Sequence, residues 1–213
     1  MRGALIYFFS FILLLLNARQ SVGYDERHLN QVKTGKDCVK CDLSGSSLPT
    51  VSLEGSALAR TNFSRSNLQH ADFRSANLAK ANLRKSDLSS AKLSSANLQD
   101  ANLEETILRS ANLRNANLKR AKLKQASLNR TNLAQANLTR ANLTEANLQQ
   151  VNLEGANLTG SNFKKSILQE VNLSGANLTR ADFTNAKIEN VWLIGAIYCS
   201  TKMPWGVEAP NCK

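Results

Sequence analysis

The chain has 213 residues, a formal charge of +11 from 27 basic and 16 acidic side chains, four cysteines and two histidines. That balance suits contact with acidic surfaces or polymers, although a solvated basic exterior with no partner has the same composition. Beyond residue 23 no segment is long and apolar enough to span a bilayer, which excludes a bundle of membrane-spanning helices.

Residues 1–23 read as a signal peptide. Arg2 supplies the positive n-region, Ala4 to Leu16 form an apolar run, and Ser21-Val22-Gly23 places small residues before a cut at Tyr24. The run of thirteen apolar residues spans only about 20 Å as a helix, against a hydrocarbon core of about 30 Å. An uncleaved anchor is therefore the less favoured alternative. Cleavage removes Arg2 and Arg19, taking 27 basic residues to 25 against 16 acidic ones, net +9, and predicts an exported protein, periplasmic or secreted. Residues 24–40 follow as an N-terminal cap, in which a short amphipathic helix within 24–35 presents Leu29 and Val32 on one face.

From Leu43 through Leu193 every fifth residue is Leu, Phe or Ile, 31 positions in unbroken register. Two residues before each stands a small side chain: seventeen Ala, six Ser, four Val, three Thr and Cys41. Between the two, Asn or Asp occurs 21 times. Five residues on an α-helix advance about 500°, so the leucines would visit every face. An odd step on a flat strand would expose half of them. All can point inward only if the backbone turns the same way after each unit and coils around its own leucines, each coil hydrogen-bonded to the next at about 4.8 Å. A narrow tube leaves no room for two large side chains per unit, which explains the small residues.

A weaker second period sets the size of the coil. Val replaces Ala at 51, 151, 171 and 191, each followed by glycine at 55, 155, 175 and 195, and all separations are multiples of 20. A four-sided coil of 20 residues fits and a three-sided one of 15 does not. The 155 residues of 41–195 then make about 7.75 coils and a rod roughly 37 Å long.

The A-(D/N)-L-x-x run, as in Ala76-Asn77-Leu78 and Ala141-Asn142-Leu143, resembles the pentapeptide-repeat family over Cys41 to Ala196. The flanks Cys38-x-x-Cys41-Asp42-Leu43-Ser44-Gly45 and Tyr198-Cys199-Ser200-Thr201-Lys202-Met203-Pro204 are similar to the ends of exported bacterial members. The resemblance implies an all-β fold, a right-handed quadrilateral β-helix. A solenoid needs both ends covered, and residues 196–213 are expected to form the C-terminal cap. Trp192, Ile194, Ile197, Tyr198, Met203 and Trp205 are expected to pack over the last coil.

Cys38 and Cys41 could serve a thiol–disulfide enzyme, but a redox motif needs a thioredoxin-like context that is missing here. As a zinc site they supply two ligands, with Cys199 and Cys212 a rod's length away. That distance also rules out a bridge between the ends, since bridged Cα atoms lie within about 7 Å. The remaining pairing joins Cys38 to Cys41 and Cys199 to Cys212 as structural clips. His70 reads as a solvated corner residue, and Glu104 and Glu105 as surface carboxylates paired with Lys85, Lys122 and Lys124. No constellation calls for catalysis, a metal or a cofactor, and no small-molecule substrate is expected.

Wound at 20 residues per coil, Arg60, Lys80, Arg120, Arg140 and Arg180 share one column, interrupted by Asp100 and Gly160, with Lys119 alongside. Stacked like charges repel, so the column reads either as a splayed, solvated face or as an anion-binding stripe for an acidic polymer or lipid headgroups. The leading expectation is a non-catalytic exported scaffold or binding rod whose partner is an unknown protein or acidic polymer; membrane-surface contact fits the charge, and no residue pattern calls for an oligomer. The resemblance also brings in topoisomerase-binding DNA mimics, a role that needs an acidic surface and a cytoplasmic address.

Overall fold

The structure is a computed structural model and describes residues 23–208. All of the expected signal peptide but Gly23, and Cys212 with the end of the C-terminal cap, lie outside the described residues. No described helix is long and apolar enough to cross a membrane.

The described residues begin with a helix, α1 (Glu26–Lys33). Asp25 caps it, its carboxylate accepting the Arg27 N–H at 2.8 Å, while Glu26 in the first turn and Lys33 in the last complement the helix dipole. Leu29 and Val32, three residues apart, fall on one face and are buried in the same core as Cys38, Cys41 and Leu43. The Asp25 N–H also donates to the Asp42 carbonyl at 3.2 Å, tying the helix to the first coil.

From Asp42 onward the chain is a parallel β-helix. Bridges run from Asp42↔Asn62 to Asp182↔Lys202, each joining residues 20 apart. Strand β1 (Ile167–Gln169) pairs with β2 (Lys187–Glu189) in the same register. Elsewhere the ladder is made of single-residue bridges, because every fifth residue interrupts extended backbone in the left-handed region. Those residues, two after each inward side chain, hold φ between 51° and 61° wherever they are not glycine.

A five-residue unit with Asn or Asp at its outward position can place all its backbone donors. The inward residue donates to the following coil, as Leu43 N–H does to the Asn62 carbonyl at 2.7 Å, and so does the left-handed residue, as Gly45 N–H does to Ser64. The residue before the inward one donates to the preceding coil, as Asn62 N–H does to Cys41. The small residue closes the corner with a turn bond, Ser66 N–H to the Phe63 carbonyl at 3.2 Å. The remaining N–H is claimed by a side chain: Asn62 Oδ1 accepts from Ser64 N–H at 3.2 Å, and Asn67, Asn77, Asn82 and Asn97 do the same for the residue two positions on. The frequent Asn or Asp is thus a local side-chain acceptor for the one donor that the ladder leaves over. Pro49 stands at that left-over position, where a missing N–H costs the ladder nothing.

Inside the tube the inward residues from Leu43 to Phe183 are all buried, each contributing roughly 1.5–3 kcal/mol of gross transfer free energy. The rings of Phe63 and Phe73 meet edge-on at 5.9 Å and those of Phe163 and Phe183 stack at 4.6 Å. Thr106 and Thr131, where a hydroxyl replaces Ala, donate to the carbonyls of Leu83 and Leu108, both at 2.8 Å. No buried side-chain polar atom among the described residues lacks a partner.

The C-terminal end departs from expectation. Met203 is buried and Tyr198 half-buried against the core, but Trp192, Ile194, Ile197 and Trp205 are exposed. The cause is the phase of the coil. Trp192 and Ile197 occupy the outward position held one coil earlier by Asn172 and Asn177, so their hydrophobicity cannot turn them inward. The inward Ile188 and Leu193 are only half-buried, since no further coil follows among the described residues. A hairpin of β3 (Thr201–Met203) and β4 (Gly206–Glu208) closes one part of this end.

Candidate functional site

Arg60, Lys80, Arg120, Arg140 and Arg180 all occupy left-handed corner positions, φ 58° to 61°. Because each corner donates its N–H to the next coil, the side chains are set one above another along a single edge of the rod. All five are exposed, and Lys119, one residue before the corner, is half-buried.

The column is not uniform. Arg120 donates through Nε and an Nη to both oxygens of Asp100, at 2.6 and 2.7 Å. That fork holds the Asp100 carboxyl down at about 2 against its ordinary 3.8, the hydrogen bonds from Arg120 being the main cause. Arg120 is therefore committed within the protein. Arg60, Lys80, Lys119, Arg140 and Arg180 have no carboxylate within 4 Å among the described residues. The cations form two groups, Arg60 with Lys80 and Arg140 with Arg180, separated by the Asp100–Arg120 pair.

Cys38 and Cys41 are joined in a disulfide, Cα atoms 5.4 Å apart, and both are buried beneath α1. Burial withholds the sulfurs from a thiol partner, which argues against redox exchange. Cys199 is half-buried and is not a free thiol. His28 accepts the Asp42 N–H at Nδ1, 3.1 Å, within the cap, while His70 is an exposed corner residue. Among the described residues no group of three His, Cys, Asp or Glu side chains could hold a metal ion.

The acidic pair Glu104 and Glu105 is bound by the preceding coil, as expected for Lys85, and not by the following one. Arg84 reaches both Glu104 and Glu105, and Lys85 Nζ lies 3.2 Å from Glu105. Lys122 and Lys124 make no ion pair with either carboxylate.

A further groove was not singled out by sequence reasoning. It is lined by Arg109, Asn129, Arg130, Gln149, Gln150 and Gln169, among others. Asn129, Gln149 and Gln169 form an amide ladder at 2.8 and 3.0 Å. Beside it Gln150 accepts from Arg130 at 2.8 Å and donates to Glu170 at 2.9 Å. The signal was present as long amides recurring every 20 residues at adjacent positions.

The family model for pentapeptide repeats matches the chain in eight copies, over segments that together run from residue 37 to residue 197. No curated protein matches it. Among solved structures, the chain is similar to HetL, a pentapeptide repeat protein involved in heterocyst differentiation regulation from the cyanobacterium Nostoc sp. Strain PCC 7120. The two are 28% identical over 87% of this chain and 99% of that one, with a TM-score of 0.34. The pentapeptide repeat protein Rfr23 from the cyanobacterium Cyanothece 51142 is 29% identical over 79% and 98%, TM-score 0.31. Full-length QnrB1, a plasmid-mediated fluoroquinolone resistance protein, is 16% identical over 73% and 92%, TM-score 0.35.

Proposed function

The chain belongs to the pentapeptide-repeat family, and from that premise we propose that it is a non-catalytic, exported binding rod that meets an acidic polymer through its basic edge. The observation that carries this reading is the set of corner cations Arg60, Lys80, Arg140 and Arg180, exposed and without carboxylate partners among the described residues. For the rod itself we read the 20-residue pairing, four units to a turn, as a right-handed quadrilateral coil of about 7.75 turns over residues 41–195. The apolar N-terminal run and the half-cystine content support an exported address. The formal charge of +11 speaks against the DNA-mimic alternative, and the buried Cys38–Cys41 bridge against the redox one.

Heparin affinity measured against salt concentration tests the reading, because neutralising several cations releases counterions. Changing Arg60, Lys80, Arg140 and Arg180 to Ser is expected to weaken binding and flatten the salt slope, with circular dichroism unchanged. Removing four exposed cations from other faces, Lys92, Arg109, Arg114 and Lys165, controls for net charge. Equal losses in the two variants would reduce the effect to bulk charge and end the case for a site.

A further inference from the structure

The described residues expose six large hydrophobic side chains, and four of them, Trp192, Ile194, Ile197 and Trp205, fall within the last turn of the rod and its hairpin. Over the preceding coils the outward positions are polar almost throughout: Trp192 stands where Asn112, Asn132, Asn152 and Asn172 stand below it, and Ile197 where Asn117, Asn137, Asn157 and Asn177 do. The other end is treated in the opposite way, with α1 laying Leu29 and Val32 over the first coil. The apolar surface is therefore concentrated at one tip.

We propose that the C-terminal tip docks on an anionic bilayer, seating Trp192, Ile194, Ile197 and Trp205 among the lipid headgroups with Lys187 and Lys202 against their phosphates. Three features favour a lipid surface over another macromolecule. The first is placement around the tip. Trp192 and Ile197 lie in consecutive five-residue units, Ile194 lies between them 78% exposed, and Trp205 sits in the turn of the β3–β4 hairpin. One flat partner would cover part of such a girdle, whereas a fluid interface surrounds a tip pushed into it. The second is chemistry: tryptophan with flanking lysine is the pairing that interfaces favour, the ring at headgroup depth and the ammonium on the anion. Lys187 is exposed, and the Lys202 side chain, 61% exposed, lies 4.0 Å from an Asp182 carboxylate that Lys164 holds more closely at 3.3 Å.

The third feature sets the depth. In earlier coils the inward residue donates its N–H to the following coil, as Leu173 does to Trp192 at 2.8 Å. No further coil among the described residues follows to receive Leu193, and hydrocarbon offers backbone groups no partner. Water at the headgroups does. The tip therefore rests in the interface and does not penetrate the core, and binding is reversible.

The chain supplies its own probe, since Trp192 and Trp205 are its only two tryptophans. The full-length gene product purified from an expressing host is mixed with vesicles of phosphatidylcholine alone or with phosphatidylglycerol. Binding is followed by co-sedimentation, by the shift of tryptophan emission and by quenching from acyl-brominated lipid. The mixed vesicles are expected to bind the protein, move its emission to the blue and quench it. Trp192→Asn with Ile197→Asn, which restores the repeat's own residues, and Ile194→Ser together are expected to weaken binding at least tenfold while circular dichroism stays unchanged. The variant lacking Arg60, Lys80, Arg140 and Arg180 is expected to keep its quenching, so failure of the basic edge and failure of the tip are read separately. Unquenched wild-type tryptophan, or equal binding by the triple variant, overturns the proposal. A dimer by light scattering that the triple variant dissolves also overturns it, in favour of a second copy of the chain.

Discussion

At the scale of single residues the fold rests on two local devices: a left-handed corner every fifth position and a side-chain acceptor for the donor the ladder leaves over. Corners cost something for any residue with a Cβ, about 1–2 kcal/mol, and most for a β-branched one. Thr50 is the β-branched residue among them, φ 59°, exposed, with its N–H donated to Gln69 at 2.8 Å. Thr50→Gly keeps that hydrogen bond and removes the strain, while giving back some stability through a freer unfolded chain. A net gain of about 0.5–1 kcal/mol is expected, raising the midpoint of thermal unfolding by about 1–3 °C. Ser75→Gly, at an unbranched corner, is expected to gain less. A lower midpoint for Thr50→Gly would mean that the ladder already relieves the corner. The preference for Asn and Asp was legible in the sequence as a count but not as a cause, because an Oδ1 bonding to the N–H two residues on leaves no mark on hydrophobic periodicity.

At the scale of elements each coil is supported by the coils on either side. Mid-rod, Leu118 is fully buried between Leu98 and Leu138, whereas Leu193 in the last coil is half-buried. Leu118→Ala is therefore expected to destabilise by about 2–5 kcal/mol, the cost of a cavity in a closed core, and Leu193→Ala by well under half of that. Denaturant titration of both variants checks the contrast, and equal losses would show that the terminal coil is as well covered as the middle. The inward register, the coil length of 20 residues and the burial of Leu29 and Val32 were legible because periodicity encodes them directly. The C-terminal cap was not. The register already set Trp192 and Ile197 at the outward position held elsewhere by Asn; their hydrophobicity suggested that they pack over the last coil, and both stay exposed. Position in the repeat outweighs side-chain character.

For the whole molecule, the sequence predicted a basic column interrupted by Asp100 and Gly160, and the folded rod turns the first interruption into an ion pair. Composition shows that cations outnumber anions, and the period shows that they align. Neither shows that Asp100 and Arg120, one coil apart, close into a two-bond fork. This pair sits between Arg60 with Lys80 and Arg140 with Arg180, so it interrupts the electrostatic edge midway. Asp100→Asn leaves Arg120 uncommitted and makes the run continuous from Lys80 through Arg140 without an opposing charge. Heparin affinity is expected to rise several-fold, with a salt slope steeper by about one. The same change carries a pH signature. The Asp100 carboxyl is depressed from 3.8 to about 2 in the folded protein, so its contribution to stability is fully present above pH 3.8 and lost as pH falls through about 2. The fork is exposed, which keeps that contribution small and sensitive to salt. Thermal midpoints of wild type and Asp100→Asn are expected to differ slightly at pH 7 and to converge near pH 2. A gap that persists at pH 2 would trace the effect to the amide and not to the lost charge, and unchanged heparin binding at pH 7 would show that the corner cations act independently of Arg120.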